Sequence, residues 1–180
     1  PQMDADARRD LLAKTLVSNT TGVLETLRGW FATPVQLAGQ GVLILGASGS
    51  GKSSLALELM RETLRGNCEA SLISDDRVDL FLIKGVLFAS PPALLAGLIE
   101  VRGSGIHRTG YVASARLHLA VELVSGQAAE RMAPLTPRLI AHGAALPVLV
   151  LPGGQTSACV RAILAHLSLL PPLLPLGKPV

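Results

Sequence analysis

The residues with the plainest chemistry are the octet Gly46-Ala47-Ser48-Gly49-Ser50-Gly51-Lys52-Ser53, a full match to the phosphate-loop pattern GxxxxGK[ST]. Glycines let such a loop curl until successive backbone N–H groups point at one phosphate chain, and the following helix adds its positive end. Lys52 is expected to reach the β- and γ-phosphates of a nucleotide, and the Ser53 hydroxyl to ligate Mg²⁺. The flanking sequence supplies the context the motif needs. Val42-Leu43-Ile44-Leu45 reads as a strand covered on both faces, and Lys52 to Arg65 as a helix ended by Gly66-Asn67. The alternative is a flexible Gly/Ser linker that happens to hold a lysine.

A phosphate loop binds a nucleotide without naming a reaction. Phosphoryl transfer also needs a second acidic group for the metal and a base for the acceptor. Asp75 and Asp76 close the apolar strand Ala70 to Ser74, at the carboxyl edge of an open α/β sheet, where ligands bind. Neighbours on an extended chain point to opposite sides, so only one of the two faces a γ-phosphate squarely. A solvated strand end beside Arg77 is the plainer alternative. Glu100 is the second acidic candidate, in the strand Leu98 to Arg102, where it shares a face with Arg102. Burying either charge is costly unless it does something, or unless the two form a structural pair.

The elements that must position these groups alternate between strand and helix. Strands are expected at Val35–Leu37, Val42–Leu45, Ala70–Ser74, Asp79–Ile83, Val86–Ala89, Leu98–Arg102, Leu117–Leu123 and Ala145–Leu151. Ser90 to Leu95 reads as a capped helical turn, and Thr156 or Ser157 as the cap of a last helix ending near Leu169. The fold class is α/β, a phosphate-loop kinase-type domain with a mostly buried mixed sheet and flanking helices. Residues 1–30 are expected to form a helical arm, 31–170 the kinase domain and 171–180 a Pro-rich tail.

Composition narrows the function. The 180 residues are 49% hydrophobic and only 16% charged, which excludes a disordered chain. The stretch from Leu139 to Val160 lacks Asp, Glu, Lys and Arg, but its Pro147, Pro152, Gly153 and Gly154 make it strand, turn and helix rather than a membrane span. The net charge of +3 comes from scattered residues and aromatics are 3%, so a nucleic-acid surface has little to stand on. Cys68 and Cys159 have no metal or redox spacing and read as reduced core thiols. No membrane contact and no signal peptide are expected, and the cytoplasm follows.

Together these residues resemble the catalytic domain of the HPr kinase/phosphorylase family in its short, alphaproteobacterial-type form. The likeness covers roughly residues 31–165. It rests on Gly46–Ser53, the Ser71-Leu72-Ile73-Ser74-Asp75-Asp76-Arg77 strand end, Ser90-Pro91-Pro92-Ala93-Leu94-Leu95-Ala96-Gly97, and the signature Ile99-Glu100-Val101-Arg102-Gly103, in that order. The resemblance implies ATP-dependent phosphorylation of a serine on the phosphocarrier protein HPr of the sugar phosphotransferase system. It implies that Lys52 contacts phosphate, that Ser53 and Glu100 serve Mg²⁺ with Asp75 as a further metal candidate, and that Asp76 accepts the serine proton. Arg131 falls where the family's later arginine would stand, and a homo-oligomer, typically a hexamer, is implied.

Three departures from the family pattern carry expectations of their own. Phe31 stands where the family has a histidine near the acceptor phosphate, and a phenyl ring can neither donate a hydrogen bond nor carry charge. His107 or His142 could take over that role. Leu151-Pro152-Gly153-Gly154-Gln155 replaces Arg-Pro-Gly-Arg-Asn, so phosphorolysis by inorganic phosphate is expected to be weak or absent. The N-terminal regulatory domain of the long form has no counterpart in this sequence. A nucleotide-binding regulatory or scaffold protein, or a small-molecule kinase on the same scaffold, are the competing functions.

Overall fold

The computed structural model describes residues 27–125, 138–141 and 143–169. Its elements are β1 (Leu27–Trp30), β2 (Thr33–Leu37), β3 (Gln40–Gly46), α1 (Lys52–Arg65), β4 (Ala70–Leu72), β5 (Val78–Ile83), β6 (Val86–Ser90), β7 (Leu98–Val101), β8 (Gly105–Arg108), β9 (Ala115–Val124), β10 (Arg138–Ala141), β11 (Ala144–Pro152) and α2 (Thr156–His166). A short 3₁₀ turn, Ala93–Leu95, sits where the helical turn was expected.

Strand β3 owes its place to its unbroken apolar run. Val42 and Ile44 pack into one buried cluster, while Leu43 packs into a second on the opposite face. Both helices contribute to the first cluster only. Leu55, Ala56, Leu59 and Met60 of α1 meet Cys159, Val160, Ile163 and Leu164 of α2 over the sheet. Each such leucine contributes about 1.5–3 kcal/mol by leaving water. The second cluster contains no helical residue and is closed by β5, β6 and the loops around them, because the sheet curls on itself.

The strand order is β1-β5-β6-β9-β3-β2-β4, with β11 also on β9 and β10 on β11. Within this mixed sheet β3, β9 and β11 run parallel. Their carboxyl ends therefore lie side by side, which is the edge where the phosphate loop begins. Two tight hairpins help set the register: Ala38-Gly39 joins β2 to β3, and Lys84-Gly85 joins β5 to β6. All four turn residues have positive φ, the backbone twist that matches paired strands.

Several elements differ from the sequence-based expectation. Leu27–Trp30 is a strand paired with β5 rather than helix, and the rest of the expected helical arm lies outside the described residues. Strand β4 stops at Leu72, because the Ile73 and Ser74 N–H groups turn to the Pro34 carbonyl. Strands β8 and β10 were not anticipated: each is only four residues long, β8 following the turn at Gly103 and β10 preceding Gly143. Thr156 and Ser157 lie inside α2, whose first N–H bonds go to the Gln155 carbonyl, and the helix ends at His166. Cys159 is buried as expected, with its thiol on the Pro152 carbonyl and its pKa pushed up by burial, whereas Cys68 is only half-buried. The Pro-rich tail lies outside the described residues. No helix among the described residues is long and apolar enough to cross a membrane.

Where β3 meets β9 the register shifts between Gly41 and Val42. A side chain on Gly41 would stand 2.2 Å from the Arg116 carbonyl oxygen, so only glycine permits the approach. The Gly41 N–H donates instead to Nδ1 of His118, 3.1 Å away. That ring must be neutral at Nδ1 to accept, and burial, with the Arg116 charge beside it, pushes the His118 pKa down. A depressed folded value means that the unfolded chain binds the proton more readily. The stability this contributes is complete above the unfolded value of about 6.5 and is lost as pH falls from there through the folded value. Unfolding midpoints measured across this range should fall with pH in the native chain and fall less steeply in His118→Gln.

Candidate active site

The phosphate loop leaves β3 at Gly46, which takes φ +148° and leaves no room for a side chain. A Cβ there would stand 2.7 Å from Ser50 Oγ and 3.0 Å from the Leu123 carbonyl oxygen. The loop then closes on a turn from Ser50 N–H to the Ala47 carbonyl, and α1 starts after Gly51. Lys52 is buried, and its ammonium donates to the carbonyls of Gly46 (3.1 Å) and Ala47 (3.0 Å), which holds the charge inside the curl. Ser53 stands in the first turn of α1, where free N–H groups and the helix dipole favour an anion. A cavity of about 340 Å³ opens beside the loop. Ala47, Gly49 and Ser50 form one wall, and Val124, Ser125 and Gly153, at or just past the ends of β9 and β11, form the other.

The two aspartates separate sharply in the structure. Asp75 is buried at 8% exposure, and its carboxylate ties three elements together. Oδ1 accepts from the hydroxyls of Thr33 (2.9 Å) and Ser53 (2.8 Å), and Oδ2 from the backbone N–H of Glu100 (3.0 Å). Asp76 is exposed and left-handed at φ +61°, a conformation that aspartate tolerates better than most residues. The turn around it is fixed by Arg77 N–H to the Asp75 carbonyl (2.7 Å) and by the Ser74 hydroxyl on the Arg77 carbonyl. The chain is no longer extended at this point, so strand alternation is not what sets the two carboxylates apart.

The signature segment is a separate two-stranded hairpin, β7–β8, and not part of the large sheet. Glu100 and Arg102 are both exposed and do not pair with each other, so the burial cost expected for them does not arise. The Asp75 contact with the Glu100 N–H docks this hairpin beside the phosphate loop. A guanidinium nitrogen of Arg102 consequently lies 3.6 Å from where a Cβ on Gly49 would stand. Thr33 and the approach of Arg102 were not singled out in the sequence. Thr33 carries no motif, and only its partner, 42 residues away, reveals it.

Magnesium fits this donor set in its usual manner, with few protein ligands and the remainder from phosphate and water. Ser53 Oγ and Asp75 Oδ1 supply a hydroxyl and a carboxylate 2.8 Å apart. Among the described residues no three His, Cys, Asp or Glu side chains converge on one point. Glu100 stands beside the pair through its backbone, with its carboxylate exposed and bound to no other described residue.

Phe31 is 60% exposed, and the Arg77 guanidinium lies over its ring at 4.0 Å from the centroid. Of the histidines considered as substitutes, His107 is exposed on β8 and bound to the Ser104 hydroxyl at 2.8 Å. His142 and Arg131 lie outside the described residues.

The different settings of the two aspartates predict unequal stability effects. Asp75→Asn keeps one acceptor oxygen where three donors converge and should cost about 1–3 kcal/mol. Asp76→Asn should leave stability unchanged within about 0.5 kcal/mol, because asparagine accepts the left-handed conformation. Urea unfolding of both variants checks this.

The chain is 46% identical over 72 residues to the HPr kinase/phosphorylase of Clostridium tetani, covering 40% of this chain and 22% of that protein. It is 38% identical over 134 residues to that of Verminephrobacter eiseniae, covering 70% and 38% respectively. The chain thus spans between about a fifth and two fifths of the length of these curated relatives. The solved structure of the Hpr(Ser) kinase/phosphatase from Coxiella burnetii superposes with a TM-score of 0.67 at 27% identity, covering 78% of this chain and 96% of that one. The family described as HPr Serine kinase C-terminal domain matches residues 26–138, from the edge of β1 through the phosphate loop, the Asp75 turn and the signature hairpin. With that match spanning residues 26–138 of the 180, the chain belongs to the HPr serine kinase C-terminal domain family.

Proposed function

We propose that this chain is an ATP- and Mg²⁺-dependent protein-serine kinase acting on the phosphocarrier HPr, with little reverse phosphorolysis. The observation that carries the reading is the Asp75 carboxylate on the Ser53 hydroxyl, which places an acidic group at the start of α1 inside a phosphate loop. Lys52 and the loop N–H groups would hold the β- and γ-phosphates of ATP, and Ser53 with Asp75 would hold the metal. The metal supplies neutralisation of charge on the phosphates. Asp76, exposed at the same turn, would orient an incoming serine hydroxyl and take its proton. Transition states for phosphoryl transfer ask modest help from a base, so positioning the hydroxyl is the larger part of that role. Arg102 over Gly49 is placed to add a positive charge on the nucleotide side. Among the described residues no arginine lines the cavity at Gly153, which supports weak phosphorolysis.

The experiment is transfer from γ-labelled Mg-ATP to purified HPr, with the modified residue located by mass spectrometry. Phosphoserine on HPr is the expected product. Asp76→Asn should lower the rate at least about a hundredfold with ATP affinity retained, whereas Lys52→Ala should lose ATP binding. Transfer at the native rate by Asp76→Asn would remove the base assignment. A second reading, a nucleotide-binding regulatory protein, draws on Phe31 at the family's histidine position. It predicts ATP binding with no phosphoprotein product.

A further inference from the structure

We propose that Arg77, laid flat on the Phe31 ring, is the seat of a phosphate group on the acceptor side of Asp76. The inference rests on the kinase reading for its meaning, but its geometry is independent of the nucleotide. Arg77 follows Asp76 directly, and its guanidinium carbon lies 4.0 Å from the Phe31 centroid. One guanidinium nitrogen reaches over Gly29, 3.4 Å from where a Cβ would stand, so the absence of a side chain there leaves room for the stack. The backbone on both sides of the pair is pinned. Arg77 N–H is held by the Asp75 carbonyl, and the Gly29 N–H donates to Asp79 Oδ1 at 2.9 Å.

The stack uses only the face of the guanidinium. Among the described residues Arg77 makes no side-chain hydrogen bond or ion pair, so none of them occupies the N–H donors around its edge. A planar fork of donors fits two oxygens of a phosphate, and an aromatic surface that fixes its plane reduces the freedom lost on binding. The location calls for such a charge. A phosphate beside Asp75 and Asp76 meets two carboxylates, and Lys52 is engaged with the loop carbonyls. Phe31 carries no charge of its own, but its ring holds one in place. This also gives a reason for a phenylalanine left 60% exposed.

A phosphate at this position could be attached to the acceptor as phosphoserine or be free inorganic phosphate. Trp30, the single tryptophan of the chain, neighbours Phe31 and reports on the site by fluorescence. The native chain is titrated with a peptide bearing one phosphoserine, with its unphosphorylated form, and with inorganic phosphate. Arg77→Gln should weaken phosphate binding about tenfold or more. Arg77→Lys should fall between, keeping the charge without the fork, and Phe31→Leu should weaken binding while Phe31→Tyr retains it. Mg-ATP affinity should be unchanged throughout, and circular dichroism confirms that each variant is folded. Binding of the phosphoserine peptide alone assigns the seat to the acceptor, and equal binding of inorganic phosphate assigns it to the free ion. Either result supports the proposal if Arg77→Gln weakens that binding about tenfold or more. Absence of binding by the native chain, or binding that Arg77→Gln leaves intact, overturns it. Failure of HPr labelling alongside Arg77-dependent phosphate binding would remove the kinase reading and leave this site standing.

Discussion

The Asp75 carboxylate is the interaction on which the site depends. Its three donors come from the start of β2, the first turn of α1 and the edge of the β7–β8 hairpin. None of these elements is adjacent to the others in sequence, and the hairpin is outside the main sheet altogether. A buried carboxylate is costly unless its lone pairs are used. Here the same hydrogen bonds that satisfy it also bring the signature segment to the phosphate loop. Stability and site assembly are therefore the same interaction seen from two sides.

The sheet provides the second constraint. Three parallel strands, β3, β9 and β11, end together, and each feeds a different part of the cleft: the phosphate loop, Ser125 and Gly153. Both helices brace one face of these strands, while the other is sealed by the curled antiparallel strands. The arrangement leaves the carboxyl edge open without exposing the core. At that edge the charges are divided in space. Lys52 and Arg102 lie at the phosphate loop, the buried Asp75 stands between the elements, and Asp76 and Arg77 face outward beside Phe31.

Much of the frame was legible in the residues. The phosphate loop needs a specific string, and the helix after it runs from Lys52 to Arg65 as its apolar spacing and terminal glycine indicate. The uninterrupted apolar run of β3 signalled burial on both faces, and Leu43 against Val42 and Ile44 bears that out. These are local properties: one turn of helix or two residues of strand contain the whole signal.

A GxxxxGK[ST] loop between an apolar strand and an amphipathic helix, with acidic residues at the next strand end, is readable from the residues alone. Which aspartate is buried, that the signature segment forms a hairpin outside the main sheet, that Leu27–Trp30 pairs as a strand, and that Phe31 carries Arg77 on its ring emerge only from long-range packing. The physical reason is range. Asp75 and Asp76 have the same chemistry and nearly the same neighbours in sequence. The difference between them comes from Thr33, Ser53 and Glu100, whose convergence exists only once the sheet has closed.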